Sequence, residues 1–203
     1  LVPKTLHDVL RGESDLRDVV YSHPLGFKVI PGGINIDNLG SADIGKLPEV
    51  VLSFLGKADY VIIDSPAGLG NEAMTTLNAS DEVLIVTNPD IPSVTDALRT
   101  IKIAQRQNKR ILGIVVNRVG SSEHEMKRNE IESFLGYPVL VEIPEDDAIK
   151  AGISRKQPAV ISEPNSPASI QIRKLAHMLV GKKFREEHVS FGLLERIFGW
   201  IFK

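Results

Sequence analysis

The sequence contains no cysteine. A disulfide framework and a thiolate metal site are both excluded, a composition that suits a reducing cytoplasm. No stretch reaches the roughly 18 consecutive apolar residues of a membrane-spanning helix. The first residues, LVPKTLHDVL, have neither an initiating Met nor the apolar core of a signal peptide, so the chain is expected to belong to a longer one. An excess of either charge is also missing. Lys and Arg number 24 against 26 Asp and Glu, a net charge of −2, which gives no general attraction to nucleic acid. The five histidines (His7, His23, His124, His177, His188) are scattered and show no metal-ligand spacing. No Gly-x-Ser-x-Gly nucleophile turn is present, nor is any internal repeat or low-complexity tract.

What is present is enough apolar material, 42% of 203 residues, for one sizeable α/β domain. Short apolar runs alternate with amphipathic stretches. Strands are expected at Phe27–Ile30, Tyr60–Asp64, Glu82–Thr87, Ile111–Asn117 and Val139–Ile143. Helices are expected at Thr5–Arg11, Ile44–Leu55, Asn71–Asn78, Ser93–Gln107, Glu123–Leu135, Asp146–Ala151 and Pro167–Val180. Runs such as VLIVT and ILGIVVN are apolar on both faces, the mark of a parallel sheet covered by helices on each side. The expected fold is a doubly wound, mostly parallel α/β sheet over residues 1–180. A charged linker, 181–190, and an amphipathic helix, 191–203, follow it.

Ligands of open parallel sheets sit beyond the carboxyl ends of the strands. Asp64, at the end of VIID, is placed there by this reading. A carboxylate in that position can hold Mg²⁺ through water or orient an attacking water. Pro66 and Gly68 form a turn after it, and Gly68 can offer an N–H to a phosphate. A bare turn cap is the alternative for Asp64. Asn117 also ends a strand. Its amide can read a base because it both donates and accepts, and a plain strand-end turn is the alternative. Ser93 reads as a helix N-cap with Asp96 as a first-turn acid, and Asp146 as the cap of the next helix.

Four segments in consistent order, VIIDSPAGLG, DEVLIVTNPDIPSVTDALR, GIVVNRVG and EIPEDDAIKAG, resemble the MinD/ParA group of deviant Walker ATPases. TLHDVLRGE near the N-terminus also matches, so the resemblance runs from about Thr5 to Val180. It implies a P-loop NTPase-like fold that uses ATP and Mg²⁺. Asp64 would then be the catalytic and metal-linked carboxylate, with Pro66 and Gly68 in the phosphate-sensing turn. Asn117 and Arg118 would contact adenine, and Pro144, Glu145 and Asp146 would line the base. Ser93 and Asp96 would face a partner subunit or regulatory protein. The group's phosphate loop, K-G-G-x-G-K-[ST], is absent from the 203 residues: PGGIN lacks the following Lys-Ser/Thr, and FLGKADY has a lone Gly-Lys. Without that loop nothing cradles the β- and γ-phosphates, so the chain by itself is expected to be inactive. Truncation of a longer ATPase is favoured over a degenerate homologue.

The final segment, FGLLERIFGWIFK, confines Gly192, Glu195, Arg196, Gly199 and Lys203 to one narrow arc of a helical wheel. Phe191, Leu194, Ile197, Phe198, Trp200, Ile201 and Phe202 lie on the wide apolar remainder. Thirteen residues are too few to cross a bilayer and suit a helix lying in its interface. A last core helix or a partner-binding helix are the alternatives. The segment resembles the group's membrane-targeting end. The resemblance as a whole implies an ATPase that dimerises on ATP, docks on phospholipid at the cytoplasmic face of the cell membrane, answers to a regulatory protein and places the division site. A non-catalytic membrane-docked scaffold and a flagellar-number or partitioning ATPase are the competing expectations, and no nucleic-acid partner is expected.

Overall fold

The computed structural model describes residues 4–33, 42–66, 68 and 70–185. They divide into two compact units, Leu1–Asp81 and Glu82–Lys203.

In the first unit, α1 (Leu6–Leu10) begins at Thr5, whose N–H and hydroxyl both donate to the Asp8 carboxylate. That capping box supplies acceptors for a helix too short to stabilise itself. The Leu6 N–H donates to Pro31 O, and the Gly33 N–H donates to His7 Nδ1 at 2.8 Å, so Pro31–Gly33 is held against α1. Strands β1 (Tyr21–Ser22) and β2 (Lys28–Val29) form a two-residue antiparallel pair, with His23 and Phe27 stacked 4.4 Å apart. Helices α2 (Leu47–Leu52) and α3 (Asn71–Ala79) pack on each other. The strand expected at Phe27–Ile30 is thus a hairpin arm rather than a member of a parallel sheet. The strand expected at Tyr60–Asp64 is absent: residues 60–66 are irregular, with Ile62 90% and Tyr60 63% exposed. An apolar run becomes a strand only where its N–H and C=O groups find a ladder. Within this unit the described ladder is the short hairpin alone.

The second unit contains the sheet that the apolar runs announced. Strands β3 (Glu82–Thr87), β4 (Arg110–Val119) and β5 (Val139–Pro144) are parallel, in the order β3-β4-β5. Helices α4 (Ile91–Arg106) and α5 (Arg128–Leu135) make the two crossovers. They cover one face, where Ile85, Val94, Ile101, Ile114, Val116, Ile131 and Val139 form a continuous core. Helices α6 (Asp147–Ser154) and α8 (Pro167–Leu179) cover the other through Val115, Val141, Ile143, Ala168 and their neighbours; the short α7 (Ala159–Ser162) connects them. Ile114 and Val116 face one helical layer and Val115 the other. That explains why β4 reads as an unbroken apolar run.

One glycine is required by this sheet. Gly113 has φ +148° at a register shift of β4, and a Cβ there would lie 2.8 Å from the Leu140 side chain and 2.9 Å from Pro138 O. Several boundaries differ from expectation: the helix expected at Ile44–Leu55 is a 3-10 turn, Ile44–Lys46, followed by α2, and α6 runs on to Ser154 rather than ending at Ala151. α4 begins two residues early because Asp90, not Ser93, is its N-cap, accepting the Ser93 N–H and hydroxyl at 2.8 Å each. α5 begins at Arg128 rather than Glu123, because the preceding residues are held in a loop by Glu125. Within the stretch expected as linker, 181–190, Phe184 is seated on α8, 5.2 Å from the His177 ring and 5.7 Å from the Arg173 guanidinium. The amphipathic segment 191–203, with Phe191, Leu194, Ile197, Phe198, Trp200, Ile201 and Phe202, lies outside the described residues.

Candidate functional site

The carboxyl edge of β4 and β5 gathers five of the candidate residues. Asn117 pairs in the ladder with Ile143, and Val119 with Pro144, so β4 advances two residues where β5 advances one. Arg118 is the extra residue of this bulge and has φ +60°, the left-handed region that a non-glycine residue adopts at a cost. Its Nε donates to Glu145 Oε2 at 2.9 Å, and the Glu145 N–H donates to Val119 O at 2.8 Å. The turn after β5 is therefore bonded to the turn after β4 through both main chain and side chain. The Arg118 hydrogen bond, followed by that of Lys150, holds the Glu145 carboxyl below the ordinary range.

Asn117 is half-buried, and its carboxamide bonds to no described residue. By strand alternation it falls on the Val115 side of the sheet, the side of α6 and α8. A half-buried amide with both donor and acceptor unspent is what recognition of a nucleobase edge needs. Asp146 is spent differently. It is the N-cap of α6, with Oδ1 accepting from the Ala148 N–H at 2.9 Å, and Oδ2 accepts from the Ala168 N–H at 3.0 Å. Burial pushes its carboxyl up, but the Ala168 and Ala148 amides together with the Ser166 hydroxyl outweigh it and hold it below the ordinary range. Both oxygens being engaged, Asp146 shapes this edge as a support for two helix starts. Pro144 closes β5, and what it presents is main chain.

On the neighbouring edge, Ser93 is bound to Asp90 within the first turn of α4, and Asp96 is exposed with Arg99 at 2.8 Å. An open depression of about 360 Å³ lies between the turns that follow β3 and β4; Asn88, Asp90, Arg118 and His124 are among its walls.

Asp64, Pro66 and Gly68 belong to the first unit and are exposed. The expectation that Asp64 sits at the end of a sheet strand is not met, for the reason given above. Its carboxylate accepts no hydrogen bond from a described residue, and Gly68 has φ +89° with nothing within 4 Å of an added Cβ. No group of three or more potential metal ligands occurs among the described residues. A lone carboxylate fits Mg²⁺ only as one ligand beside waters and phosphate oxygens. The residues present thus fit the base end of a nucleotide. They do not fit its triphosphate end, which needs a glycine loop and lysine that the sequence lacks.

The family model described as ParA, NUBPL iron-transfer P-loop NTPase, matches residues 49–180. The chain belongs to the ParA/MinD family of P-loop ATPases. An uncharacterized ATP-binding protein of Methanocaldococcus jannaschii is 37% identical to it over 185 residues, 91% of this chain and 70% of that protein. The septum site-determining protein MinD of Pyrococcus horikoshii, solved in complex with Mg-ADP, matches with a TM-score of 0.84 at 36% identity, covering 88% of this chain and 74% of its own. The flagellum site-determining protein YlxH of Helicobacter pylori is 31% identical across 88% of this chain and 64% of its own length. The MinD complex associates nucleotide and Mg²⁺ with the family, and the two-sided parallel sheet is the family's fold.

Two residues of this ParA/MinD edge escape a reading of the sequence. Asp90 could have been found, because Asp-Ile-Pro-Ser places Pro at the second helical position behind a capping aspartate. Glu125 could not: its role comes from a loop that the linear pattern shows as helix.

Proposed function

We propose that this chain supplies the base-binding edge and the output surfaces of a MinD-like ATPase that positions a cellular structure. The carrying observation is the Asn117 carboxamide, which bonds to no described residue, beside the left-handed Arg118 at the carboxyl edge of β4. ATP is bound there by its adenine, and the phosphates are completed by a glycine loop that is not among the 203 residues. In a chain that carries that loop, Asp64 would hold Mg²⁺ through water and Gly68 would turn with the γ-phosphate. The ATP-bound form dimerises, the paired Phe191–Lys203 segments hold phospholipid at the cytoplasmic face of the membrane, and hydrolysis releases them. One helix binds weakly after its ordering cost, so dimerisation controls docking through avidity. The first half of α4, with Ser93 and Asp96, meets the regulatory protein.

Experiments on this chain and on the complete encoded protein test this. Isothermal titration with this 203-residue chain should show no micromolar ATP binding, and micromolar affinity would refute the need for an added phosphate loop. In the complete encoded protein, Asn117→Ala should weaken ADP binding about tenfold, the equivalent of one lost hydrogen bond at about 1.4 kcal/mol. An unchanged affinity would sink the base assignment. Deleting Phe191–Lys203 should abolish co-sedimentation with anionic liposomes, and unaltered binding would remove the membrane role. The likeness to a flagellum site-determining protein favours flagellar placement as the second reading; a chromosomal deletion separates the two by whether septa or flagella are misplaced. An upstream in-frame sequence without a glycine loop would favour the non-catalytic scaffold.

A further inference from the structure

The connection between β4 and α5 is fastened at both ends and across its middle. Glu125 Oε2 accepts the Gly120 N–H at 2.8 Å, while Oε1 accepts the Ser122 N–H at 2.9 Å and the Ser121 hydroxyl at 3.0 Å. These donors, Gly120 first, hold the carboxyl below the ordinary range. One side chain therefore closes the loop on itself. At its far end the Met126 N–H donates to Pro89 O at 2.8 Å, one residue before Asp90, the N-cap of α4. At its near end stands Arg118, two residues before Gly120.

A non-glycine residue in the left-handed region persists only where its surroundings over-determine it. Glu145 secures the Arg118 guanidinium from the β5 side. The loop closed by Glu125 secures the backbone that leaves β4. We propose that Glu125 is a positioning residue for the base-binding edge: it fixes the loop that holds Asn117 and Arg118 in place, and through Met126 and Pro89 it ties that edge to the first turn of α4. This rests on the reading of Asn117 and Arg118 as the base contact. It thereby connects the first turn of α4, the proposed partner helix, to the base-binding edge through a continuous path of bonded atoms. The depression between the two turns is walled by Arg118, Glu125 and Asp90, so the closed loop borders it directly.

The test uses the complete encoded protein with Glu125→Ala, Glu125→Gln and Asn117→Ala. The first readout is the ratio of ADP to GDP affinity by titration calorimetry, and the second is amide hydrogen exchange at Gly120, Ser122, Met126 and Ser93. A merely structural residue would weaken both nucleotides alike. The positioning role predicts that Glu125→Ala lowers the ratio about tenfold and speeds exchange at Met126. Glu125→Gln should retain part of the ratio, because its single oxygen can serve Gly120 or the Ser121–Ser122 pair but not both. If Glu125→Ala speeds exchange at Gly120 and Ser122 yet leaves the ratio unchanged, while Asn117→Ala reduces it, the positioning role is overturned and the base site stands. If Asn117→Ala also leaves the ratio at the wild-type value, the base-site reading falls and this inference falls with it.

Discussion

Replacing Asp146 with alanine removes a carboxylate that serves two helix starts at once. The loss of the α6 N-cap costs about 1 kcal/mol. The Ala168 N–H belongs to a residue with no exposed surface, so it loses its acceptor where water cannot replace it, a penalty of about 1–3 kcal/mol. Relief of the carboxylate's own desolvation offsets part of this. The expected net loss is about 2 kcal/mol, read from the urea midpoint, or a fall of roughly 4–8 °C in Tm for a chain of this size. Asp146→Asn should lose about half as much, because one oxygen remains and its NH₂ must face the other amide. The pH dependence has a definite sign. The folded state lowers this carboxyl's pKa, so its stabilisation is fully present above about pH 4, the unfolded aspartate value, and is lost as pH falls through the lower folded value. The gap between wild type and Asp146→Ala should therefore stay constant from pH 5 to 8 and close on further acidification. A loss under 0.5 kcal/mol, or a gap that widens in acid, would refute the double-cap account.

Gly113→Ala should destabilise by about 3 kcal/mol in urea titration, since a Cβ collides with Leu140 and Pro138 O at a backbone angle alanine resists; tolerance would mean that the β4 bulge can slide. Arg118→Val should cost about 1–2 kcal/mol, more than Arg118→Gly, because a β-branched residue is strained at φ +60°. Equal losses in the two variants would assign the effect to the exposed Glu145 ion pair instead. Phe184→Ala should speed trypsin cleavage among Lys182, Lys183 and Arg185 by releasing the chain from Arg173 and His177 on α8, and an unchanged cleavage rate would show that this contact restrains nothing.

The sequence alone determined the second unit. The double-sided apolar runs could be satisfied only by burial between two helical layers, and β3, β4 and β5 appear within a few residues of their expected bounds. Residue type alone placed Asn117 at a strand end and Asp146 at a helix cap; Arg118, Pro144 and Glu145 came only through the family resemblance, and the sheet brings all five to one edge. Tyr60–Asp64 shows where that logic stops. Its apolar run carries the same local preference as β3, but a strand exists only with a neighbour to bond, and no periodicity records whether a neighbour is there. Tertiary structure decided the rest: that Asp146 caps α6 and also accepts a first-turn N–H of α8, that Arg118 is left-handed because Glu145 and a bulge hold it, and that residues 123–127 form a loop rather than a helical turn. Each depends on hydrogen bonds between residues distant along the chain, or on a side chain bending back to its own backbone. The free energy of such contacts comes from geometry that a linear pattern does not contain.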